Sequence, residues 1–288
     1  MRIGVIDIGA STTCLLVADV GGAGGPRQVL LRRHSLTPAR TDTERLTALV
    51  NAEADHARRG GANHLIVSGR ASLRGTHHAR LLDRLCKRLD AGSLRILGAR
   101  DKAELAFAGA TATSAPDRRL AVVTIGLSST EIAVGHPRGG PAWRGSRPAG
   151  VWRLSERARF QDPPSAAQIS AARSAASRSL SNLHPPRADA AVLADGGAAM
   201  ALRRLCGDRI DAAALERASR RLFSTPGAAL AEELGLAVDQ VRPLPAAVAI
   251  AAAACELAGH PLEAARGGIR EGLIVERERE LAAGGILA

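Results

Sequence analysis

Tyrosine is absent from this chain of 288 residues, and aromatic residues of all kinds make up only 2% of it. Any hydrophobic core must therefore be built from alanine, leucine, valine and isoleucine, which dominate the 46% of residues that are hydrophobic. A chain of this length is long enough for two domains, each with its own core. The richness in alanine, arginine and glycine is typical of a bacterial genome of high GC content.

Cysteine pairs and an export signal are also missing. Cys14, Cys86, Cys206 and Cys255 lie far apart without a Cys-x-x-Cys motif, which argues against a metal cluster and favours a reducing environment. The sequence does not open on a basic and then apolar leader, and the alanine-rich run 245–258 is too short to span a membrane. We therefore expect a cytoplasmic protein without a membrane partner.

Acidic residues are outnumbered, with 28 aspartates and glutamates against 39 lysines and arginines and a formal net charge of +11. Such a balance favours polyanionic partners, namely polyphosphate, nucleotides or nucleic acid. The alternative is a drift of the composition toward arginine codons, and we find no specific nucleic-acid motif. The sequence also leaves open whether the chain forms a homodimer.

The first twenty residues, MRIGVIDIGASTTCLLVADV, have the pattern of two strands joined by a polar turn. The β-branched run Ile3–Ile8 suits a buried strand, a second apolar run covers 14–20, and Asp7 lies near the bend. Backbone N–H groups and hydroxyls of such a turn can bind an anion, and the carboxylate can hold a divalent cation or orient water. The alternative is an ordinary β-hairpin with an acidic residue in its turn. The candidate anion-binding residues are Gly9, Ser11 and Thr12.

The same pattern recurs between Leu120 and Gly135, where LAVVTIGLSSTEIAVG combines an apolar strand, a turn rich in glycine and serine, and a second strand. Glu131 follows this second turn. Two such units far apart in the chain predict a duplicated domain with two facing turns. The second set of candidate anion-binding residues is Gly126, Ser128 and Ser129.

This arrangement resembles the superfamily of actin-like ATPases, sugar kinases and heat-shock chaperones. The opening VIDIGASTTCLLVADV and the segments AELAFAGA (103–110), GVWRLSERARFQDPPS (150–165) and GGIREGLIVE (267–276) are similar to segments of the exopolyphosphatase / guanosine pentaphosphate phosphohydrolase (Ppx/GppA) family, in that family's order. The resemblance implies an α/β fold of two ribonuclease H-like (actin-like ATPase) lobes with a cleft between them. We place the first lobe at residues 1–117 and the second, with the C-terminal helices, at 118–288.

In that family, hydrolysis of a terminal phosphoanhydride uses two phosphate-binding turns, carboxylates that hold Mg²⁺, and a glutamate that activates water. The resemblance therefore implies that Asp7 and Glu131 are ligands of Mg²⁺. It implies that Asp101 and Glu131 are the catalytic carboxylates, with Asp101 as the general base.

Two further segments match phosphate-binding parts of the family. Gly196 and Gly197 take the place of a Gly-Thr turn near the start of a late helix. Either Arg70 or Arg74 occupies a loop whose arginine meets phosphate in the family. The alternative for this loop is a pair of solvated arginines, because charged residues in loops are usually exposed.

Several positions depart from the family pattern. Thr124 stands where the second turn normally has an aspartate, and Leu127 replaces a glycine whose missing side chain lets the backbone approach phosphate. Asp101 and Lys102 replace an expected pair of glutamates, and Asp195 is an added acid. One carboxylate expected to face the metal is therefore gone, and a cation stands where an anion is expected.

These departures predict that the chain binds polyphosphate or a guanosine polyphosphate between its two turns, while hydrolysis of the terminal phosphate is weak or lost. One alternative is a non-catalytic module that binds a nucleotide or phosphate, or an inactive partner of an active paralogue. Another is a repurposed enzyme of specialised metabolism, with a new site formed by Asp101, Lys102 and Asp195.

The remaining periodicity predicts a mixed sheet of five strands in each lobe, flanked by helices. One helix is expected to begin at Thr41 or Asp42, and another after Ser165, which has the right position for a cap. The C-terminal part is predicted as two helices, 243–258 and 261–283.

Overall fold

A computed structural model describes residues 1–9, 12–21, 28–36, 42–70, 77–91, 94–115 and 117–283, with the backbone alone at positions 36, 70 and 78. The strands are β1 (Arg2–Ile8), β2 (Thr12–Asp19), β3 (Gln28–Leu36), β4 (His64–Arg70), β5 (Arg95–Leu97), β6 (Leu120–Ile125), β7 (Thr130–His136), β8 (Gly140–Arg147), β9 (Ala190–Asp195), β10 (Arg209–Ile210) and β11 (Leu262–Gly268). The helices are α1 (Thr43–Arg59), α2 (His77–Arg88), α3 (Ala99–Thr111), α4 (Val151–Ala158), α5 (Ala166–Leu180), α6 (Gly197–Cys206), α7 (Ala212–Ser224), α8 (Gly227–Leu234), α9 (Val238–Val241), α10 (Leu244–Ala258) and α11 (Ile269–Ala283).

The strands form two mixed sheets with the same internal order. The first sheet runs β3-β2-β1-β4-β5 and the second runs β10-β11-β9-β6-β7-β8. In each sheet an antiparallel meander of three strands is extended by two strands that run parallel to its first strand, and the short β10 adds an antiparallel edge to the second sheet. Strands β6, β7, β8, β9 and β11 thus correspond to β1, β2, β3, β4 and β5. This correspondence confirms the predicted duplication and the two-lobed α/β fold.

The contacts divide the chain into two compact units, Met1–Leu105 with Arg270–Ala288, and Ala106–Ile269. This grouping differs from the expected division at 117 and 118, because residues 106–117 group with the second unit and the last helix groups with the first. In α11, Glu271 accepts a hydrogen bond from Arg32 of β3 at 2.8 Å. Further along the same helix, Glu276 forms an ion pair with Arg95 of β5.

In the first unit, one face of the sheet packs on α1 and α2. This core contains Ile6, Ile8, Leu15, Val17 and Val67 from the strands and Leu46, Val50, Leu82 and Leu85 from the helices. The carboxylate of Asp42 caps α1 by accepting the N–H of Arg45 at 3.0 Å, which confirms one of the two predicted caps. The other, Thr41, lies outside the described residues.

In the second unit, α10 runs through the centre of the core. Ten of its fifteen residues are buried, so the helix is covered on nearly all sides. Its alanines allow close packing against α4, α5 and α7, which replaces the bulk that aromatic side chains usually supply. The segment Val238–Ala258 is apolar and long enough to cross a membrane, but most of it is buried inside this unit, as in the core helix of a globular domain.

Strand β11 corrects the prediction of a helix over 261–283. The sequence LEAARGG contains good helix formers, yet it pairs in parallel with β9, with Leu262 opposite Ala191 and Gly268 opposite Asp195. Pairing within the sheet overrides the weak local preference for helix. With β11 and the two-residue β10, the second sheet has six strands where five were expected. The helix itself begins only at Ile269.

Gly272 of α11 lies directly against the backbone of α3, and a β-carbon built there clashes with the carbonyl oxygen of Leu105. We expect Gly272→Ala to lower the free energy of unfolding by about 1–3 kcal/mol, because an overpacked helix must shift. Chemical denaturation followed by circular dichroism measures the change. The exposed Arg279→Ala on the same helix is the matched control and should stay within about 0.5 kcal/mol of wild type. Equal stability of the two variants would contradict this packing.

Candidate functional site

The first glycine turn connects β1 to β2. The N–H of Gly9 donates to the carbonyl oxygen of Thr12 at 3.0 Å, which closes the turn. A β-carbon at position 9 would clash with that same oxygen, so glycine is the residue that fits without movement of the turn. Gly9 and the half-buried Thr12 thus lie at the bend, whereas Ser11 lies outside the described residues.

Asp7 stands one residue before the end of β1, opposite Ser68 of β4 and Cys14 of β2. Its Oδ1 accepts a hydrogen bond from the fully buried hydroxyl group of Ser68 at 2.7 Å. This bond fixes the orientation of the carboxylate next to the turn. Arg70 ends β4 at the same edge of the sheet, but its side chain lies outside the described part of the chain, as does Arg74.

The second turn is tied to α4, the helix that follows β8. Within the turn, the N–H of Gly126 donates to the carbonyl oxygen of Ser129 at 2.9 Å. The carbonyl oxygens of Gly126 and Leu127 accept the N–H groups of Val151 and Trp152, each at 3.0 Å. Helix α4 has no side-chain cap, so the turn satisfies donors that its first residues would otherwise leave unpaired.

Peptide planarity then determines where the amides of this turn point. The C=O and N–H of one peptide unit point in opposite directions. Because the carbonyl groups of Gly126 and Leu127 face α4, the N–H groups of Leu127 and Ser128 face away from it. Within the described chain these two N–H groups have no hydrogen-bond partner, and Ser128 is exposed. Adjacent N–H groups of this kind form an anion-binding arrangement.

Glu131 lies at the base of the second turn and is only 1% exposed. Its Oε1 accepts hydrogen bonds from the hydroxyl groups of Ser129 at 2.6 Å and Ser146 of β8 at 3.3 Å. The carboxylate therefore links the turn to the neighbouring strand, a structural role that the sequence pattern did not indicate. Its roles in metal binding and catalysis stay predictions.

Asp101 occupies the first turn of α3. Its Oδ2 accepts the N–H of Gly98 at 2.7 Å. Asp101 is the third residue of α3 and Gly98 is the residue before the helix, so this bond forms one half of a capping box. The backbone N–H of Lys102 donates to the carbonyl oxygen of Gly98 at 3.0 Å. The residue predicted as the general base thus stabilises its own helix, and its catalytic role stays a prediction.

A third glycine turn lies at the same edge of the second sheet as the turn at Gly126. Strand β9 runs parallel to β6, with Val123 opposite Leu193, so the two strands end side by side. Gly196 precedes α6, which begins at Gly197 without a side-chain cap. A β-carbon at either glycine meets no atom within 4 Å. Packing therefore does not require glycine here, and the start of α6 is open to a ligand.

Three of the four thiol groups are held in the neutral form by their surroundings. Burial raises the pKa of Cys86 to about 12 and the pKa values of Cys206 and Cys255 to about 11. Cys14, beside Asp7 in the sheet, instead lies 3.1 Å from Nδ1 of the exposed His34. Cys14 is therefore the thiol best placed to report on the first turn.

At pH 8 we expect one thiol to react fast with a disulfide reagent and three to react slowly, because a thiol of pKa about 11 is ionised to only about one part in a thousand there. The rates of the slow thiols should rise about tenfold for each pH unit until the pH reaches their pKa, about 11 for Cys206 and Cys255 and about 12 for Cys86. The Cys14→Ser variant should lose the fast phase, and a fast phase that persists in this variant would contradict the assignment.

Gly150, the residue before α4, allows the close contact between helix and turn, because a β-carbon there would clash with the backbone of Leu127 and Ser128. We expect Gly150→Ala to lower the free energy of unfolding by about 1–3 kcal/mol and to weaken anion binding, since the turn must move off the helix. Thermal unfolding with and without tripolyphosphate measures both effects. Gly139→Ala is the matched control, because a β-carbon there meets nothing within 4 Å. Unchanged stability and binding in Gly150→Ala would show that the contact is dispensable.

Known families and structures support the fold. The model of the Ppx/GppA phosphatase family matches residues 81–281, which is more than half of the chain. No curated protein matches the sequence significantly.

Several solved structures cover nearly the whole chain. A Ppx/GppA family member from Aquifex aeolicus is 18% identical, with a TM-score of 0.82 over 97% of this chain and 98% of its own. An exopolyphosphatase from Cytophaga hutchinsonii is 16% identical, with a TM-score of 0.77 over 99% of this chain and 98% of its own. Identities this low show the fold alone. With the family model matched over residues 81–281, the chain belongs to the Ppx/GppA phosphatase family.

Proposed function

We propose that the chain binds a polyphosphorylated ligand, either inorganic polyphosphate or a guanosine polyphosphate, and hydrolyses its terminal phosphate slowly or not at all. The observation that carries this proposal is the pair of N–H groups of Leu127 and Ser128 that point away from α4. Hydrogen bonds from the turn to α4 hold these groups in place, so they accept an anion with little reorganisation. Membership of a phosphatase family supports a phosphate group as that anion.

The other phosphate-binding residues of the proposal are taken from the sequence, and each is supported by its position within its own unit. The turn at Gly9 and Thr12 has the same place in the first sheet as the turn at Gly126 has in the second. The start of α6 at Gly197 offers N–H groups at the positive end of a helix dipole. The net charge of +11 attracts polyanions from solution. Ser11 and Arg70 belong to the same proposal.

Mg²⁺ is the cation that this family membership implies. Mg²⁺ is usually held by one or two carboxylates together with phosphate oxygens and water, so it does not need a large protein cluster. Asp7 fits this mode, because it is half-buried and Ser68 orients it. The described residues contain no group of three or more histidines, cysteines, aspartates or glutamates that could hold a metal ion. We therefore propose that Mg²⁺ binds with the ligand at Asp7 and neutralises charge on the phosphates, while a role of Glu131 in metal binding stays a prediction from the sequence.

Slow hydrolysis follows from the contacts of the two predicted catalytic carboxylates. Asp101 accepts a backbone N–H at the start of α3, and Glu131 is buried beneath two serine hydroxyl groups. Without a positioned general base, phosphate transfer to water is slower by about 10²–10⁴-fold. The same contacts favour a second candidate function, a binding module without catalysis.

Phosphate release and calorimetric binding, each measured with and without Mg²⁺, test the proposal on long-chain polyphosphate and guanosine pentaphosphate. We expect saturable binding that Mg²⁺ strengthens, and turnover at least about 10²-fold below that of an active family member assayed alongside. Binding with no turnover would favour the module. Turnover equal to that of the active enzyme would contradict slow hydrolysis, and no binding of either ligand would contradict the proposal as a whole.

The Asp101→Asn variant tests the remaining catalytic role. The amide oxygen of asparagine can still accept the N–H of Gly98, so the helix cap is kept while the proton acceptor is removed. Because the carboxylate of Asp101 is already directed at Gly98, we expect residual turnover to change by less than about threefold with unchanged ligand affinity, whereas a fall of about 10²-fold or more would show that Asp101 still acts as the base. Asp239→Asn, at an exposed position of the second unit, is the matched control. Unchanged turnover in Asp101→Asn would remove this residue from the role of base.

A further inference from the structure

Helix α2 of the first unit presents a basic face to solvent. Its apolar side, with Leu82 and Leu85, is buried in the core of the unit. The opposite side carries four exposed cations, which we call the α2 cation face: Arg80, Arg84, Lys87 and Arg88. Because residues three and four apart are neighbours on a helix, these four side chains form one continuous surface.

One carboxylate, Asp83, lies beside this face, and other groups of the protein already occupy it. Its Oδ1 accepts the backbone N–H of Leu94 at 3.0 Å, and its Oδ2 pairs with the ammonium group of Lys87 at 2.9 Å. Asp83 therefore ties α2 to the segment before β5 and compensates the charge of Lys87. The charges of the arginines remain on the face.

Two of these arginines differ from most others of the first unit in having no counter-charge. Arg84 and Arg88 form no hydrogen bond or ion pair with any described residue. Most other described arginines of the unit pair with a carboxylate, and these are Arg2, Arg32, Arg33, Arg45, Arg58, Arg95, Arg100 and Arg277. The three arginines of the face also repeat at intervals of four residues, a spacing at which like charges destabilise a helix. A bound polyanion would remove this repulsion.

The end of α1 adds to the same basic surface. The guanidinium group of Arg58 donates through Nη2 to the carbonyl oxygen of Leu89 at 2.9 Å, so the last turn of α1 lies beside the end of α2. Arg59, the last residue of α1, is exposed, and its guanidinium group lies 2.8 Å from Nδ1 of His56. Basic residues of two helices thus meet at one end of the α2 cation face.

The spacing of the arginines fits a rigid row of phosphates. Arg80 and Arg88 are eight residues apart, which is about 12 Å along a helix axis. Over that length one strand of a B-form duplex presents roughly three or four phosphates, because each strand carries one phosphate per about 3.4 Å. Guanidinium groups bind phosphate through paired, charge-assisted hydrogen bonds. A duplex holds its phosphates in fixed positions, whereas a flexible polyanion must first be ordered.

We propose that the α2 cation face binds the phosphate backbone of double-stranded nucleic acid without reading its sequence. A single strand is disfavoured, because α2 has no phenylalanine, tyrosine or tryptophan on which bases could stack. A membrane surface is disfavoured, because the apolar side of the helix, which would enter the lipid, is buried in the core. The inference needs no ligand at the glycine turns, so it is independent of the proposed function.

The test compares an Arg80→Gln/Arg84→Gln/Arg88→Gln triple variant with a control that carries Arg138→Gln, Arg187→Gln and Arg217→Gln in the second unit. Both triple variants remove three exposed positive charges, so their net charge is the same. Glutamine is nearly as good a helix former as arginine, and circular dichroism checks that α2 persists. A third variant with lysine at 80, 84 and 88 keeps the charge and separates its loss from damage to the helix.

Fluorescence anisotropy at several salt concentrations measures binding of the full chain to two short DNA duplexes of unrelated sequence and to a single strand of the same length. Co-sedimentation with vesicles that contain an anionic phospholipid measures binding to a membrane surface, and calorimetry measures binding of tripolyphosphate. We expect the wild type to bind both duplexes equally within about twofold, and to bind the single strand and the vesicles more weakly.

In the glutamine variant of α2 we expect affinity for the duplexes to fall by about tenfold or more. The slope of log affinity against log salt should fall by about 0.9 for each phosphate that is no longer neutralised, or up to about 2.7 for three arginines. The lysine variant should stay within about threefold of the wild type, because a phosphate contact depends mainly on charge. Duplex affinity of the second-unit control should stay within about twofold.

Several results overturn the inference. They are a wild-type protein that binds no duplex at low salt, an unchanged affinity or salt slope in the glutamine variant of α2, and an equal decrease in the control. Tighter binding of the single strand or of the vesicles than of the duplexes would assign the face to a different partner and overturn it as well. The binding of tripolyphosphate by the wild type tests the glycine turns separately, and the glutamine variant of α2 should keep it within about twofold.

Discussion

The hydrogen bonds from the first residues of α4 to the second glycine turn are the constraint on which the proposed site depends. Because a peptide unit is planar, the carbonyl groups of Gly126 and Leu127 cannot cap the helix without turning the following N–H groups away from it. The same turn conformation therefore caps α4 with its carbonyl groups and exposes the N–H groups of Leu127 and Ser128. Gly150 makes the contact possible, since any side chain there would meet the turn. Binding of a phosphate at such a turn would cost little conformational entropy, because folding has already fixed the orientation of its amide groups.

The fold could be predicted where its signals are local. The β-branched runs at the two turns revealed the duplication, and the caps of α1 and α5 stood at Asp42 and Ser165, where the sequence placed them. Strand β11 was not predicted, because the residues of LEAARGG favour a helix locally and form a strand only through pairing with β9. The duplication could have predicted this strand. A second sheet that copies the first needs a strand in the place of β5, and β11 fills that place.

The candidate site was predictable as a set of positions but not as a set of contacts. The sequence placed Gly9, Gly126 and Gly196 at strand ends, and the structure has them there. The contact between α4 and the turn joins residues distant in sequence. The start of α4 has no capping side chain, so the sequence gives no local signal for this contact. The burial of Glu131 depends likewise on β8, the neighbouring strand, which supplies Ser146.

Phosphate binding and phosphate hydrolysis require different groups in this fold. Hydrolysis requires a correctly positioned carboxylate, whereas binding does not. Backbone amides bind an anion whatever the neighbouring acids are, so the absence of an aspartate at position 124 leaves the turn itself intact. A general base, in contrast, must direct a lone pair at water. Asp101 directs one at the N–H of Gly98, and giving up that cap would cost about 1 kcal/mol of helix stability. A family member can therefore lose turnover through changes at a few acids while its glycine turns, fixed by backbone contacts, keep the amide arrangement that we propose binds phosphate.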